Sequence, residues 1–424
     1  MTLEVAPVPG VLPTRWRNVS LGDLADFING RAFKPSDWTS SGTPIIRIQN
    51  LNGGADFNYY AGEVDPRFRV GRGDLLFSWS GTRGTSFGPH MWRGPEAILN
   101  QHIFNLRNLR DVEQGFLFHA LKRLTSAVEK RAHGGTGIVH ITKGELESFR
   151  LGVPPLPEQR RITAILSSVD AAIEATQSVI DQIQVVKNAM MAELLTRGLP
   201  GRHTRFKQTE IGEVPEEWEI LSLADISAGG LKNGVFKKKT EFGNGAPLVN
   251  VVDVYRGVEV DASGLGRVRV SPEERANFGA EVGDVFFVRS SLKLEGIGHC
   301  CVVTSSPEPM VFECHIIRIR PDVRRVNSLF LCYQGLSDVC RRQIMSHAKT
   351  TTMTTIGQDG LGSVRVAVPS LDEQQLIASS IRSVEDTTTV HAAERDALLH
   401  LKNALTGVLL TGELRVCPDE VGLG

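Results

Sequence analysis

The chain repeats itself, which limits it to two copies of one module and whatever joins them. Pro13-x-x-Trp16 recurs as Pro215-x-x-Trp218. GTPIIRIQNL (Gly42–Leu51) answers to GAPLVNVVDV (Gly245–Val254), and GDLLFSWSG (Gly73–Gly81) to GDVFFVRSS (Gly283–Ser291). NQHIFNLR (Asn100–Arg107) matches ECHIIRIR (Glu313–Arg320), and LPEQRRI (Leu156–Ile162) matches LDEQQLI (Leu371–Ile377). The offset between copies grows from 202 residues at the first pair to 215 at the last, then holds through VKNAMMAELLTRG and LKNALTGVLLTGE. Insertions therefore collect in the first part of each copy, where loops tolerate them, and the second part keeps its length.

The first part of each copy reads as mixed α/β. IIRI, DLLFSW and IFNL are short β-rich runs bounded by Gly, Asn and Pro. Phe116–Ala132 has helical spacing, and Ser328–Ile344 is its counterpart. Gly73-Asp74 and Gly283-Asp284 read as plain turn chemistry leading into strands.

The second part reads as a long helix. Pro157-Glu158-Gln159 suits a first turn, Ser370 and Glu373 could form a capping box, and Gly198 and Gly412 are stops. Ile162, Leu166, Val169, Ile173, Thr176, Ile180, Ile183, Lys187, Met190 and Leu194 follow alternating steps of four and three. Ile377, Ile381, Val384, Thr388, His391, Arg395, Leu398, Lys402, Leu405 and Leu409 repeat the stripe. Two such stripes in one chain are most simply satisfied against each other, as an antiparallel coiled coil about 48 Å long. Lys187 and Lys402 share a stripe position; solvent-reaching lysines are the simpler reading, and a polar register device or a partner contact the sharper one.

Composition permits nucleic-acid binding without demanding it. The net charge is −1, but residues 1–150 hold 18 Lys and Arg against 14 Asp and Glu, while residues 370–424 hold 4 against 9. With no apolar run long enough for a membrane span and no basic leader, a cytoplasmic protein with no membrane partner is expected. All six cysteines lie in the second copy, without C-x-x-C spacing. His299 and His315 stand near Cys300 and Cys314, but buried, reduced thiols are favoured there over a metal cluster. No phosphate loop, amino-methyltransferase motif, Glu/Asp-x-Lys nuclease pair, H-E-x-x-H or G-x-S-x-G occurs, so no catalytic and no metal residue is nominated. The Lys237-Lys238-Lys239 run is a solvated loop or a phosphate contact.

The two Pro-x-x-Trp segments, the G-[TA]-P and Gly-Asp-apolar strands and PLPEQ before a long helix resemble the specificity subunit of type I restriction-modification systems over nearly the whole chain. The resemblance implies two similar mixed α/β (α+β) target-recognition domains, related by a pseudo-twofold and joined by two antiparallel helices. Residues 1–155 and 202–370 would be the domains, 156–201 and 371–412 the helices, and 413–424 a tail. Each domain would read one half of a bipartite, asymmetric site in double-stranded DNA, with the helices setting the spacer. Two methylation subunits and two restriction/translocase subunits would be partners, carrying the S-adenosylmethionine, ATP and Mg²⁺. This chain itself would be a non-catalytic subunit needing no cofactor. Alternatives are a specificity-like subunit of another phage-defence methylation system and a coiled-coil scaffold that reads no DNA.

Base edges are read by Arg, Asn, Gln, Ser and similar polar side chains. In the first copy the candidates are Arg47, Gln49 and Asn50; Ser78, Ser80 and Arg83; Asn100, Gln101 and His102; and Thr136. In the second they are Asn250 and Asp253; Arg289, Ser290 and Lys293; His315; and Lys349 with Thr351.

Overall fold

The computed structural model describes residues 12–134, 137–350 and 353–416. The chain divides into two compact units, Met1–Gln177 with Ala393–Gly424 and Ser178–Ala392, so each long helix contributes one half to each unit.

Both units are built from the same sheets. In the first, one antiparallel sheet has the order Asp26–Asn29, Ile103–Arg107, Leu75–Ser78, Gly88–Met91. A second, mixed sheet has the order Asn58–Tyr60, Thr43–Ile46, Ala97–Leu99, Arg69–Val70. The second unit repeats these orders with Lys232–Asn233, Ile316–Ile319, Val285–Val288, Cys300–Val302 and with Gly266–Val268, Phe242–Val249, Met310–Phe312, Gly279–Ala280. The central strands are covered on both faces. Leu75 and Phe77 enter one apolar cluster and Leu76 another; Val285 and Phe287 are likewise separated from Phe286 and Val288. That is why DLLF and DVFFV are unbroken apolar runs.

Gly73 and Gly283 adopt φ of +98° and +95°, and the following aspartates accept backbone N–H bonds from Gly71 and Glu281, the turn chemistry expected of them. The first helix matches its expected extent closely, at Gln114–Arg131. Its counterpart differs: Ser328–Leu336 and Asp338–His347 are separate helices. Ser337 stands extended between them (ψ 152°), and its Oγ accepts the Cys340 N–H, so a capping hydroxyl breaks a helix that the apolar spacing would have continued.

The long helices run Leu156–Arg197, ending directly before Gly198 (φ +79°), and Leu371–Leu409, ending three residues before Gly412 (φ +77°). Every residue of both stripes is buried or half-buried. In the first unit Lys402 pairs with Asp170 and Arg395 Nη1 donates to Gln177 Oε1 at 3.0 Å, so rising numbers on one helix meet falling numbers on the other. In the second unit Lys187 pairs with Glu385 while Leu194 packs with Ile377 and Ile381. The halves are thus antiparallel within each unit. Neither lysine simply reaches for solvent, as the simpler reading had it: each is largely buried and paired across the seam.

LPEQ and LDEQ are joints between domain and helix. Gln159 is fully buried; its Oε1 accepts the Glu113 N–H at 2.7 Å, and its Nε2 donates to the carbonyls of Asp111 (3.1 Å) and Pro154 (2.8 Å). Gln374 does the same with the Asn327 N–H and the carbonyls of Arg325 and Pro369. The preceding glutamates are buried as well. Glu158 accepts from Trp16 Nε1 (3.2 Å) and from Arg415 (2.7 and 2.8 Å). Burial would raise its pKa, but Arg415 and Trp16 more than offset that and the carboxyl lies below its ordinary range. Glu373, expected in a capping box with Ser370, faces His203 Nε2 at 2.8 Å, and the His203 ring meets Trp218 edge-on. Both Pro-x-x-Trp segments are closed turns, Trp16 N–H to Pro13 O (3.0 Å) and Trp218 N–H to Pro215 O (3.1 Å), which bring each indole to its joint.

Candidate nucleic-acid interface

In each unit three turns that the chain order separates are stitched together at one edge of the sheets. In the first unit Asn100 N–H donates to Ile46 O (3.1 Å), Trp79 N–H to His102 O (3.2 Å), and Ile141 N–H to Trp79 O (3.0 Å). In the second Glu313 N–H donates to Val249 O (3.0 Å), Arg289 N–H to His315 O (2.8 Å), and Ile356 N–H to Arg289 O (2.9 Å). The turns after Leu75–Ser78 and Val285–Val288, the turns before Ile103–Arg107 and Ile316–Ile319, and the segments following the hairpin strands Ile138–His140 and Thr354–Thr355 therefore meet at equivalent places. Gly30 and Gly234 close the same edge, where a Cβ would stand 2.2 Å from the carbonyl oxygens of Asn100 and Phe312. Only glycine lets the backbones approach so closely.

Some nominated side chains are occupied by the fold. Asn50 is buried, its Oδ1 accepting the Arg47 N–H and its Nδ2 bonding Gly54 O and Asp56 O. Asp253 is its counterpart, accepting the Asn250 N–H and pairing with Arg256. Asn250 itself caps the short helix Val251–Val254 through the Val251 N–H. Ser78 is fully buried and donates to Ser80 O (2.7 Å). Asn100 Oδ1 accepts the Gln101 N–H. Ser80 is half-buried and sits in the strand that pairs with the hairpin.

The others have more freedom. Gln49 is exposed, and its side-chain Nε2 donates to Asp56 O at 3.3 Å. Arg83 is exposed and donates to Glu129 O (2.8 Å). Arg47 lies over the Trp38 ring (5.0 Å) and donates to Asn58 Oδ1 (2.9 Å). Gln101 and His102 lie side by side, and the His102 ring packs on Trp79 (5.2 Å) with Nδ1 buried and, among the described residues, without a hydrogen-bond partner. In the second unit the buried Ser290, with Lys293 and His315, lines one open cleft of about 600 Å³ with Tyr255, His299 and Leu292. Arg289 precedes Ser290, and Lys349 is exposed on the hairpin pairing with that strand. Thr136 and Thr351 lie outside the described residues.

His315 stands in a tight cluster. Glu313 accepts from the Cys314 thiol (3.2 Å), the His315 N–H (2.8 Å) and His315 Nδ1, and among the described residues these three are the group whose ligand-type atoms converge, within 4.8 Å. Burial, then Glu313, pushes the Cys314 thiol up to about 11, so it stays protonated at neutral pH. Cys300 and Cys301 are buried in their strand, as expected of reduced thiols. In the lysine run, Lys237 lies between Glu274 (2.8 Å) and Glu241 (3.0 Å), which hold its ammonium charged and away from a phosphate, while Lys238 and Lys239 are exposed.

The edge also holds groups that sequence reasoning passed over. Arg31 lies over Tyr60 (4.7 Å) and Phe33 (5.1 Å), and Trp79 Nε1 bonds Asn29 Oδ1 (3.0 Å) and Gln101 O (3.1 Å). The Asn-Gly pair at Asn29-Gly30 and again at Asn233-Gly234 was the available signal.

Fold and turns together define a recognition protein built as a tandem repeat: one domain twice, each with polar turns on one edge and a jointed long helix. The sequence profile described as "Type I restriction modification DNA specificity domain" matches residues 13–185 and again 215–400, and the chain belongs to that family. It is 24% identical over 418 residues to the type I restriction enzyme MjaVIII specificity subunit of Methanocaldococcus jannaschii, covering 96% of this chain and 94% of that one. It is also 24% identical over 421 residues to the EcoBI specificity subunit of Escherichia coli, covering 93% and 84%. Among solved structures, the type I S subunit from M. genitalium shares the fold at a TM-score of 0.59 and 15% identity, covering 96% of this chain and 98% of that one. A chain from a study of type I complex assembly and conformational transition matches at 0.56 and 17%, covering 96% and 100%. No helix among the described residues is long and apolar enough to cross a membrane.

Proposed function

We propose that the chain is the DNA-sequence-reading, non-catalytic subunit of a type I restriction-modification complex, each domain reading one half of a split site. The observation that carries this reading is the stitched edge: the backbone bonds at 79, 102 and 141 recur at 289, 315 and 356 with the His and the Ile kept, while Trp79 gives way to Arg289 and the neighbouring Asn100 and Gln101 to Glu313 and Cys314. A fixed frame with changed side chains is what two different half-sites require, because phosphate contacts orient a protein and base-edge contacts specify.

Within this reading the domains are residues 1–155 and 202–370, and the helices 156–201 and 371–412 set the spacer and dock two methylation subunits. Two restriction/translocase subunits complete the assembly. S-adenosylmethionine, ATP and Mg²⁺ belong to those partners, and no step passes through them in this chain. Gln49, Arg47, Arg83, Gln101 and His102 in the first domain, and Arg289, Ser290, Lys293, His315 and Lys349 in the second, are the groups placed to contact DNA. Asn50, Asp253 and Ser78 support the turns that carry them.

The test is methylation-aware sequencing of genomic DNA from cells expressing the chain with its methylation subunits. A bipartite, asymmetric adenine-methylated motif with a fixed gap supports the reading. Methylation at a continuous motif, or none, rejects it.

A further inference from the structure

The two units place different residues at the centre of the stitched edge. Trp79 and Arg289 follow equivalent strands, donate their N–H to the equivalent carbonyls of His102 and His315, and accept from the equivalent N–H groups of Ile141 and Ile356. In the first unit the side chain is fully engaged: the one indole donor is shared between Asn29 and Gln101, and the ring packs against His102 and Phe104 (5.9 Å).

Arg289 is the reverse. It is half-buried and its Nε is buried, yet among the described residues that nitrogen has no hydrogen-bond partner and the guanidinium makes no ion pair or hydrogen bond. The acid of that cluster, Glu313, is turned onto Cys314 and His315, and the Arg289 charge reaches the Cys314 thiol. A buried donor without an acceptor is rare in a native fold, and a charged one is costlier still. Such a group is explained when its acceptor belongs to a ligand.

We propose that Arg289 reads a guanine in the second half-site, and that the first domain, with Trp79 in its place, makes no arginine–guanine contact at the corresponding base pair. The inference rests on the DNA-reading function proposed above. Guanine presents two acceptors, O6 and N7, in the major groove, matching the paired N–H groups of a guanidinium. A phosphate suits this arginine less well. Its backbone is fixed on both sides and its stem is half-buried, whereas Lys293 and Lys349, exposed around it, are placed for phosphates.

The experiment uses the complex reconstituted with its methylation subunits and the motif found by sequencing. Equilibrium binding is measured for duplexes carrying 7-deazaguanine, which lacks N7, at each guanine of the second half-site in turn. At one of these positions the wild type should bind roughly 10-fold more weakly, and R289A should show no difference there. R289A should also lose roughly 10- to 100-fold of its preference at that base pair while the first half-site stays strict. A second half-site without any G·C pair overturns the proposal, as does unchanged wild-type binding to every 7-deaza duplex or even weakening by R289A on all sequences, the signature of a phosphate contact. Absence of a bipartite motif would instead reject the function on which the proposal rests. The 7-deaza comparison needs no folded variant.

Discussion

Gln159 and Gln374 make the same three hydrogen bonds in the two units, whereas the residues at 79 and 289 share their backbone bonds and nothing else. The first pair holds a helix to a domain, and each buried amide has its acceptors and donor set by neighbouring backbone, so another side chain would strand those groups. The second pair sits on a turn whose backbone bonds are already complete without the side chain. Where the main chain makes the structure, the side chain is left to contact something else. The same contrast runs along the helix face: His119 and Tyr333 occupy equivalent places, six residues into helices capped by Glu113 and Asn327, but one faces Ser167 and the other Glu385.

The joints should give the largest effects, and equally in both units. Gln159→Leu and Gln374→Leu each leave a buried N–H and two carbonyls unpaired, with an expected cost of about 3–5 kcal/mol in denaturant unfolding. A loss below about 1 kcal/mol in one unit only would break the equivalence.

The seam lysines should come next, and unequally. Lys402→Met removes the partner of Asp170, and Lys187→Met removes one partner of Glu385, which still accepts from the Tyr333 hydroxyl at 2.6 Å. A loss of about 2–3 kcal/mol is expected for Lys402→Met, with a smaller one for Lys187→Met. The double change Lys402→Met with Asp170→Leu should recover most of the loss, because a buried pair replaced by apolar groups of similar size is close to neutral. Thermal melts of the four proteins would check the order.

His119 should give the smallest effect and the one confined to a single unit. Burial depresses its pKa to about 4 from an ordinary 6.5. The neutral ring is therefore the folded form, and its stabilisation is complete above pH 6.5 and lost as the pH falls toward 4. Between pH 7 and pH 5.5 the first unit should lose about 1 kcal/mol from this site, and His119→Gln should flatten that slope. Tyr333, whose hydroxyl burial and Glu385 push up, adds no slope in that window. Hydrogen exchange resolved by segment would show whether the softening lies in residues 114–131.

The repeat, the seam and the strand runs were legible because they depend on periodicity, which a sequence displays directly. The break at Ser337 was not, since a serine inside an apolar helical spacing signals a cap only when the chain actually turns there. The joint at Glu373 was legible as a helix start but not as a partner of His203, which is 170 residues away. The turn residues were hardest to sort. Asn50, Asp253 and Ser78 are the residue types that read bases, and also the types that cap turns and hairpins. Only their bonding partners separate the two uses. Arg289 and Trp79 became informative for the same reason: their side chains differ in what they leave unpaired.

The central claim is that each unit reads its own half of the target. Its most direct measurement is methylation-aware sequencing after residues 30–150 are exchanged for the corresponding stretch of another family member. One half-site should change and the other half-site and the gap should stay as they were. A change in both halves, or in neither, would contradict it.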